Sequence, residues 1–135
     1  MRASLIGFLA LLTTGLAAAD DVSDSHKLLC STARVTICFE NGDCMDVDPW
    51  ELDVPQFVLI DLKKKTVSTT RASGEGRSSE VQTSSDETEF FLQGVENGRA
   101  FSFVIDQASG LLTAAISSDG ATISVFGACT DSDNL

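Results

Sequence analysis

Four cysteines are the residues of this sequence whose chemistry depends most on spacing: Cys30, Cys38, Cys44 and Cys129. Cysteines separated by two residues are typical of zinc sites and of thiol–disulfide exchange, and no such pair occurs here. His26 is the only histidine, so a mixed Cys/His zinc site would have a single imidazole available. We therefore predict two structural disulfides and expect no metal or other cofactor.

The remaining polar residues form no recognisable catalytic set, and we predict no catalytic residue. The sequence contains no G-x-S-x-G nucleophile motif, no H-E-x-x-H zinc motif and no phosphate-binding glycine loop. Five acidic residues lie close together in the chain: Asp43, Asp46, Asp48, Glu51 and Asp53. A calcium site is one interpretation of this run, but its spacing differs from that of the twelve-residue calcium loop. Solvated acidic residues are the alternative.

Trp50 is the only tryptophan, and it follows Pro49 in a connecting segment. Such a residue either plugs the end of a β-barrel or lies at the mouth of a binding site, where aromatic rings contact ligands. The sequence leaves both interpretations open. Trp50 is therefore the candidate binding residue.

The charge of the chain limits its classes of partner. Nine basic and twenty acidic residues give a formal net charge of −11. This excess opposes binding to nucleic acid and to anionic membrane surfaces, because both attract Lys and Arg. A cationic protein is the partner that the charge favours, and a small apolar ligand is the other candidate.

The N-terminal residues have the features of a secretory signal peptide. Arg2 is followed by an apolar stretch and then by small residues up to Ala19. The apolar stretch is shorter than the roughly 20 residues that a membrane-spanning helix needs, so we expect no membrane anchor. We predict that residues 1–19 are removed on export to the periplasm or the extracellular space, where cysteines become oxidised.

The rest of the chain is predicted to be a polar leader, residues 20–29, followed by a single β domain, residues 30–135. Short runs rich in β-forming residues alternate with turn signals, and no amphipathic helix is evident. About eight strands in consecutive hairpins predict an all-β fold, a small antiparallel up-and-down barrel or sandwich tied by disulfides. A barrel is favoured because closure removes exposed strand edges.

Turn signals predict the register of the C-terminal strands. The pair Asn97-Gly98 lies between two apolar runs, and a two-residue loop of this type places Leu92 opposite Phe103. Asp119-Gly120 predicts the next hairpin in the same way. The inward face of the first hairpin then carries Phe101 and Phe103, which we expect to anchor the core.

Another hairpin decides the disulfide pairing. A three-residue loop, Glu40-Asn41-Gly42, places Cys38 directly opposite Cys44, at a separation that a disulfide spans. A two-residue loop would shift this register by one residue. We favour the three-residue loop, which leaves Cys30 to pair with Cys129 and to tie the two ends of the domain.

Residues 72–88 are more polar than the rest of the chain, because only Ala72 and Val81 among them are apolar. This composition predicts either a long mobile loop or a loop with one weak edge strand near Glu80–Thr83.

The arrangement of the cysteines is similar to that of a known group of proteins. The pattern consists of Cys30, Cys38-x5-Cys44, a strand at Phe57–Leu62 and a terminal Gly127-Ala128-Cys129. It resembles small exported proteins of alphaproteobacterial genomes, which implies their compartment and fold. In addition, the segment Ser73-Gly74-Glu75-Gly76-Arg77 resembles the Ser-Gly loop motif of periplasmic inhibitors of c-type lysozyme, which are small β-barrels. That resemblance implies an inhibitor of a basic enzyme.

Two classes of function follow from these observations. The first is a non-catalytic binding or envelope protein, of which an inhibitor of a basic periplasmic or host enzyme is one form. The second is an enzyme with a carboxylate- or metal-based site that the sequence does not reveal. A filled barrel interior would favour the first class, and a concave pocket with converging acids would favour the second.

Overall fold

The computed structural model describes residues 20–70 and 76–134, and in these ranges ten β-strands and one 3₁₀ helix form. The strands are β1 (Lys27–Phe39), β2 (Cys44–Val47), β3 (Phe57–Asp61), β4 (Thr66–Thr69), β5 (Ser78–Glu80), β6 (Gln82–Ser85), β7 (Glu89–Glu96), β8 (Arg99–Asp106), β9 (Leu111–Ser118) and β10 (Ala121–Asp131). The helix, Pro49–Leu52, connects β2 to β3. The expected signal peptide, residues 1–19, lies outside the described residues.

All ten strands belong to one antiparallel sheet that is nearly closed into a barrel. The order is β5-β4-β3-β1-β10-β9-β8-β7-β6, with β2 also paired to β1. The first and last strands of this order, β5 and β6, are separated in the chain by Val81 alone. The predicted fold class is therefore confirmed. Consecutive strands are neighbours from β3 to β5 and from β6 to β10, but the predicted up-and-down order is interrupted because β1 inserts between β3 and β10.

Val81 lies in the polar segment that was predicted to be a loop or a weak edge strand. Residues 78–85 form β5 and β6 on either side of it, so the segment contains two strands. The backbone N–H of Val81 donates to the Lys65 carbonyl at 2.9 Å, and its side chain is buried. This single apolar residue attaches the junction of the two strands to the core.

β1 is the longest strand because it pairs with three others. β10 runs along its whole length, β3 pairs with its first part and β2 with its last part. Cys38 lies opposite Cys44, and Gly42, with a φ of 92°, takes the left-handed position of the loop. The three-residue loop predicted for this hairpin is therefore present. A bulge between Thr32 and Arg34 interrupts the pairing with β10.

Gly127 on β10 faces this bulge, where the two backbones approach closely. A Cβ atom at Gly127 would overlap the carbonyl oxygen of Ser31. We expect Gly127→Ala to lower the free energy of unfolding by about 1–3 kcal/mol, because the backbone must shift to admit a methyl group. Gly76→Ala is the matched control, since open space surrounds Gly76. Urea melts measure both variants, and equal losses would contradict this account of the bulge.

Apolar side chains fill the barrel interior. The largest of the fully buried residues are Leu28, Ile60, Leu92, Ile105, Val22 and Val35. The registers predicted for the last two hairpins are confirmed: Leu92 pairs with Phe103, and Ile116 pairs with Ile123. Alternate residues of each strand therefore point into the core, as the period of a β-strand requires.

Phe101 and Phe103, the expected anchors of the core, lie on its inward face, but they are only half-buried. Both side chains pack against the buried cluster, with ring centroids 5.2 Å apart. Their neighbours Leu92 and Ile105 are fully buried instead. The two phenylalanines lie nearer to the end of the barrel that carries the 3₁₀ helix, where fewer side chains cover them.

Residues 20–29, predicted as a polar leader outside the β domain, are part of the barrel. β1 begins at Lys27, and Val22 has no exposed surface. The backbone N–H of Val22 donates to the Gln107 carbonyl at 2.8 Å. The segment closes one end of the barrel. A single apolar residue among polar ones produces no periodic pattern, so the sequence did not indicate this role.

Asp133 joins the beginning and the end of the described chain. Its carboxylate accepts hydrogen bonds from the backbone N–H groups of His26, at 3.0 Å, and Lys27, at 2.7 Å. These hydrogen bonds, led by that from His26, lower the pKa of Asp133 from its ordinary value. A carboxyl group whose pKa is lower in the folded state stabilises the fold only while it is ionised.

We therefore expect the contribution of Asp133 to be present above the ordinary carboxyl pKa of about 3.9 and to be lost as the pH falls through the lowered value. The free energy of unfolding should fall less steeply below about pH 4 in Asp133→Ala than in the unchanged protein. Asp24→Ala, at an exposed position of the same terminal segment, is the control. Urea melts on both sides of that pH test this, and parallel pH profiles for all three proteins would contradict it.

Candidate functional site

All four cysteines are paired as the hairpin register indicated. Cys30 is bonded to Cys129, and Cys38 is bonded to Cys44. The first disulfide is buried in the core and joins β1 to β10, whereas the second closes the exposed β1–β2 hairpin. No thiol remains to act as a nucleophile or a metal ligand. Two disulfides are consistent with an oxidising compartment.

The acidic run weighed as a calcium site is spread over separate contacts. Asp46 accepts hydrogen bonds from the Thr36 hydroxyl and the Arg34 guanidinium, both at 2.6 Å. These contacts, Thr36 first, lower the pKa of Asp46. Glu51 instead accepts from the backbone N–H of Asp48. In residues 20–70 and 76–134, no three side chains among Asp, Glu, His and Cys lie together in a way that could hold a metal ion.

Trp50 lies at the surface on the 3₁₀ helix. The helix follows Asp48, whose backbone N–H donates to the Glu51 carboxylate at 2.9 Å, and Pro49 occupies its first turn, where the missing N–H costs little. The Trp50 side chain is 74% exposed. Of the two interpretations of the sequence, the plug of the barrel end is therefore wrong. Val54, which follows the helix, is buried in the core cluster instead.

Two arginines fix the end of this helix to the barrel. Arg99 donates to the carbonyls of Leu52, at 2.8 Å, and Asp53, at 3.2 Å. Arg77 donates to the Asp53 carboxylate at 2.8 Å, and its Nε lies 3.5 Å from the Glu96 carboxylate. The last carbonyls of a helix have no partner within it, and these guanidinium groups provide one. Trp50 is thereby displayed by a helix whose C-terminal end is fixed to the barrel.

A groove of about 460 Å³ lies between Trp50 and the bulge of β1. Its lining includes Ala33, Asp48, Asp53 and Arg77. This volume is within the usual range of about 300–1,000 Å³ for small-molecule sites. The face of an indole ring attracts cations, by about 0.5–2 kcal/mol, and the Asp48 carboxylate on the same groove strengthens that preference. Arg77 opposes it less than a free cation would, because Asp53 already pairs with it.

The interior offers much less room than the groove. A cavity of about 60 Å³ lies at the same end of the barrel, among Phe101, Phe103, Val67 and Arg99. That volume corresponds to about two water molecules in the liquid, far below a typical ligand site. The barrel is therefore a filled scaffold.

Arg77 and Arg99 are the residues of this site that the sequence did not indicate. Arg77 follows a polar stretch, and Arg99 adjoins a tight turn, both positions where a basic residue is usually solvated. Their shared target, the end of the 3₁₀ helix, is 24 and 46 residues away from them along the chain. Only the tertiary structure brings the three segments together. Ser73, Gly74 and Glu75 of the expected Ser-Gly motif lie outside the described residues.

Among the described residues, no helix is both long enough and apolar enough to cross a membrane. Comparison of the chain with protein-family models gives no match, and comparison with curated proteins gives none either. A function for this chain therefore rests on the geometry of the Trp50 groove and on the filled interior of the barrel.

Proposed function

We propose that this chain is an exported, non-catalytic binding protein that recognises a cationic group of a partner protein in the groove beside Trp50. The observation that carries the proposal is the 74% exposure of Trp50 on a helix that Arg77 and Arg99 hold against a filled barrel. An indole ring that is held open to solvent in a fixed position is available to a partner, and tryptophan is enriched in protein interfaces.

The chemistry of the groove supports a cationic occupant. Asp48 and Asp53 lie on the same groove as the indole, and the whole chain carries a net charge of −11. Acidic surfaces attract cationic proteins over long distances and raise their association rates. Tryptophan is among the residues that most often dominate the binding energy of an interface. A lysine or arginine side chain fits both the charge and the size of the groove.

Export is part of the proposal. The apolar stretch before Ala19 has the features of a signal peptide, and the two disulfides fit the oxidising compartment to which it would lead. The resemblance of the cysteine pattern to small exported alphaproteobacterial proteins is in agreement. These three observations support a periplasmic or extracellular location.

Fluorescence of Trp50 reports on this site directly, because the chain has no other tryptophan. We expect titration with tetralysine to give a saturable change in emission, and tetraglutamate to give none. Asp48→Asn should weaken tetralysine binding several-fold, because it removes one of the carboxylates of the groove while asparagine still suits the start of the helix.

Asp24→Asn is the matched control, because it changes the net charge equally at a position outside the groove. Its tetralysine affinity should be close to that of the unchanged protein, at a salt concentration that screens distant charges. The proposal fails if emission shows no saturable change, or if both variants lose affinity equally.

An inhibitor of a basic enzyme is one form of the same function, favoured by the acidic charge and by the resemblance of residues 73–77. The chain has no tyrosine, whereas the motif of the lysozyme inhibitors ends in one. A muramidase assay with a c-type lysozyme tests this form. If the protein inhibits lysozyme and Asp48→Asn weakens this inhibition, the protein is an inhibitor that acts through the Trp50 groove. If an excess of the protein leaves lysozyme activity unchanged, the inhibitor form is excluded. The tetralysine titration then decides the wider proposal.

A further inference from the structure

The middle of the outer face of strands β7 to β10 carries no charge, and the outward cross-strand pair Glu89 and Asp106 borders it where β7 begins and β8 ends. We define this outer face as the outward-pointing side chains of residues 91–95, 100–104, 111–117 and 122–128. None of the residues in these four ranges is Asp, Glu, Lys or Arg, although charged residues make up 21% of the chain. Its outward positions hold alanine, serine, threonine and glutamine, together with a few large apolar residues. On the exterior of a soluble acidic protein, so large an uncharged area is unusual.

Large apolar side chains form a ridge on this outer face. Phe91, Val104, Thr113 and Phe126 are successive cross-strand neighbours in one row. Leu111 belongs to the adjacent row and is 62% exposed, and Phe126 is 48% exposed. Exposed apolar residues that form a contiguous patch mark interaction surfaces far more often than scattered ones do.

A groove floored by small residues lies beside the ridge. It has a volume of about 650 Å³, and its lining includes Ala100, Ser102, Ala115 and Ser117. The ridge and the groove are therefore parts of one surface. A surface that carries both a projection and a matching depression can pack against an identical copy of itself across a two-fold axis, because each copy then supplies the projection for the other.

We infer that the outer face of β7 to β10 is the interface of a homodimer, with a second copy of this chain as its occupant. The charge of the molecule points to that occupant. Two copies that each carry a net charge of −11 repel one another, so they approach at least electrostatic cost where neither presents a charge, which is true of this face apart from Glu80 in the lining of the groove. A cationic partner, by contrast, would gain nothing from an uncharged surface and is directed to the acidic Trp50 groove.

The dimensions of the outer face suit this role. Four strands about 4.8 Å apart, each contributing about seven residues of 3.3 Å, span roughly 19 by 23 Å. That flat area of about 440 Å² is roughly half of the accessible area that each partner buries in a standard interface, so it suits a weak and reversible dimer. Sheets that pack face to face lie about 10 Å apart, which the small residues beside the ridge permit.

Sedimentation equilibrium of the purified protein tests the inference. We expect a reversible monomer–dimer equilibrium between about 1 and 500 µM. Added salt should tighten the dimer, because it screens the repulsion between two acidic copies. A protein that stays monomeric throughout this concentration range would overturn the inference, and so would a dimer that salt dissociates.

A matched pair of variants locates the interface. Ser124→Glu places a carboxylate near the middle of the outer face, next to Ala115 on the neighbouring strand. Because a two-fold interface receives two such charges, we expect its dimer to be at least tenfold weaker. Ser78→Glu makes the same change on β5, at an exposed position outside the outer face, and should leave the dimer close to unchanged. Equal effects of the two variants would place the interface elsewhere.

Trp50→Ala provides a readout that separates the dimer from the proposed function. Trp50 does not belong to the outer face. This variant should therefore still dimerise, although the Trp50 groove has lost its indole ring. Circular dichroism confirms that each variant is folded before its mass is measured. Loss of the dimer in Trp50→Ala would overturn the assignment to the outer face, whatever the outcome of the tetralysine titration.

Discussion

Replacing Cys30 and Cys129 together by alanine is expected to lower the free energy of unfolding by about 4–5 kcal/mol. Their disulfide spans 99 residues of sequence, and a cross-link that closes a longer loop removes more entropy from the unfolded chain. Both cysteines are also buried between β1 and β10. Because domains of this size have a total stability of about 5–15 kcal/mol, this variant should be close to unfolding at 37 °C.

The second disulfide is the matched control. Cys38→Ala with Cys44→Ala makes the same pair of substitutions across a separation of only 6 residues, for which the same entropic relation gives about 2 kcal/mol. Guanidinium melts of both variants and of the unchanged protein measure the difference. If the short-loop variant lost as much stability as the long-loop variant, the entropy of loop closure would not be the main source of the stabilisation.

Leu112→Ala is expected to destabilise the protein by about 3–5 kcal/mol, while Leu111→Ala changes its stability by less than about 1 kcal/mol. The two leucines are adjacent on β9 and identical in type, but they point to opposite faces of the sheet. Leu112 is 4% exposed and packs in the core, whereas Leu111 is 62% exposed. Removing a buried leucine forfeits its burial and leaves a cavity, and removing an exposed one does neither.

Urea melts at low micromolar concentration compare these variants, because association through the outer face would otherwise make the measured stability depend on protein concentration. The comparison isolates side-chain direction, since strand, residue type and substitution are the same. A larger loss in Leu111→Ala would mean that the register of β9 is shifted by one residue, which would exchange the inward and outward sets of the whole strand.

The registers of three hairpins follow from the sequence because turn chemistry is local. Asn97 and Gly98 both adopt positive φ, as a two-residue turn of this type requires, and the apolar residues on either side then pair in one way only. The same argument places Cys38 opposite Cys44. Once that pair is made, the remaining two cysteines have only each other.

The centre of the core does not follow from the sequence in the same way. Alternation predicts that Phe101 and Phe103 point inward, and they do, but it carries no information about position along the barrel axis. Leu92 and Ile105 are fully buried because the strands and the terminal segment cover them on all sides. Val22 is also fully buried, and its backbone N–H donates to the carbonyl of Gln107, which lies far away in the chain.

The candidate site was identified in part. The sequence indicates Trp50 because it is the only tryptophan and has prolines nearby. Neither feature shows whether its side chain is exposed. The exposure depends on how this segment packs against the barrel, where Val54 is buried and Trp50 is not. Arg77 and Arg99 were missed, because a basic residue in a polar stretch and one beside a turn show no signal for a distant partner.

By itself, the sequence determined the all-β class, the hairpin registers and the disulfide pairing of this protein. Each of these depends on turn conformation and on the period of a strand, which act over a few residues. The tertiary structure alone decided that β1 lies between β3 and β10, that Val81 joins the ends of the sheet, and that Trp50 is displayed beside Asp48. These features depend on contacts between segments far apart in the chain, and such contacts are selected by how the whole barrel packs, which no local pattern encodes.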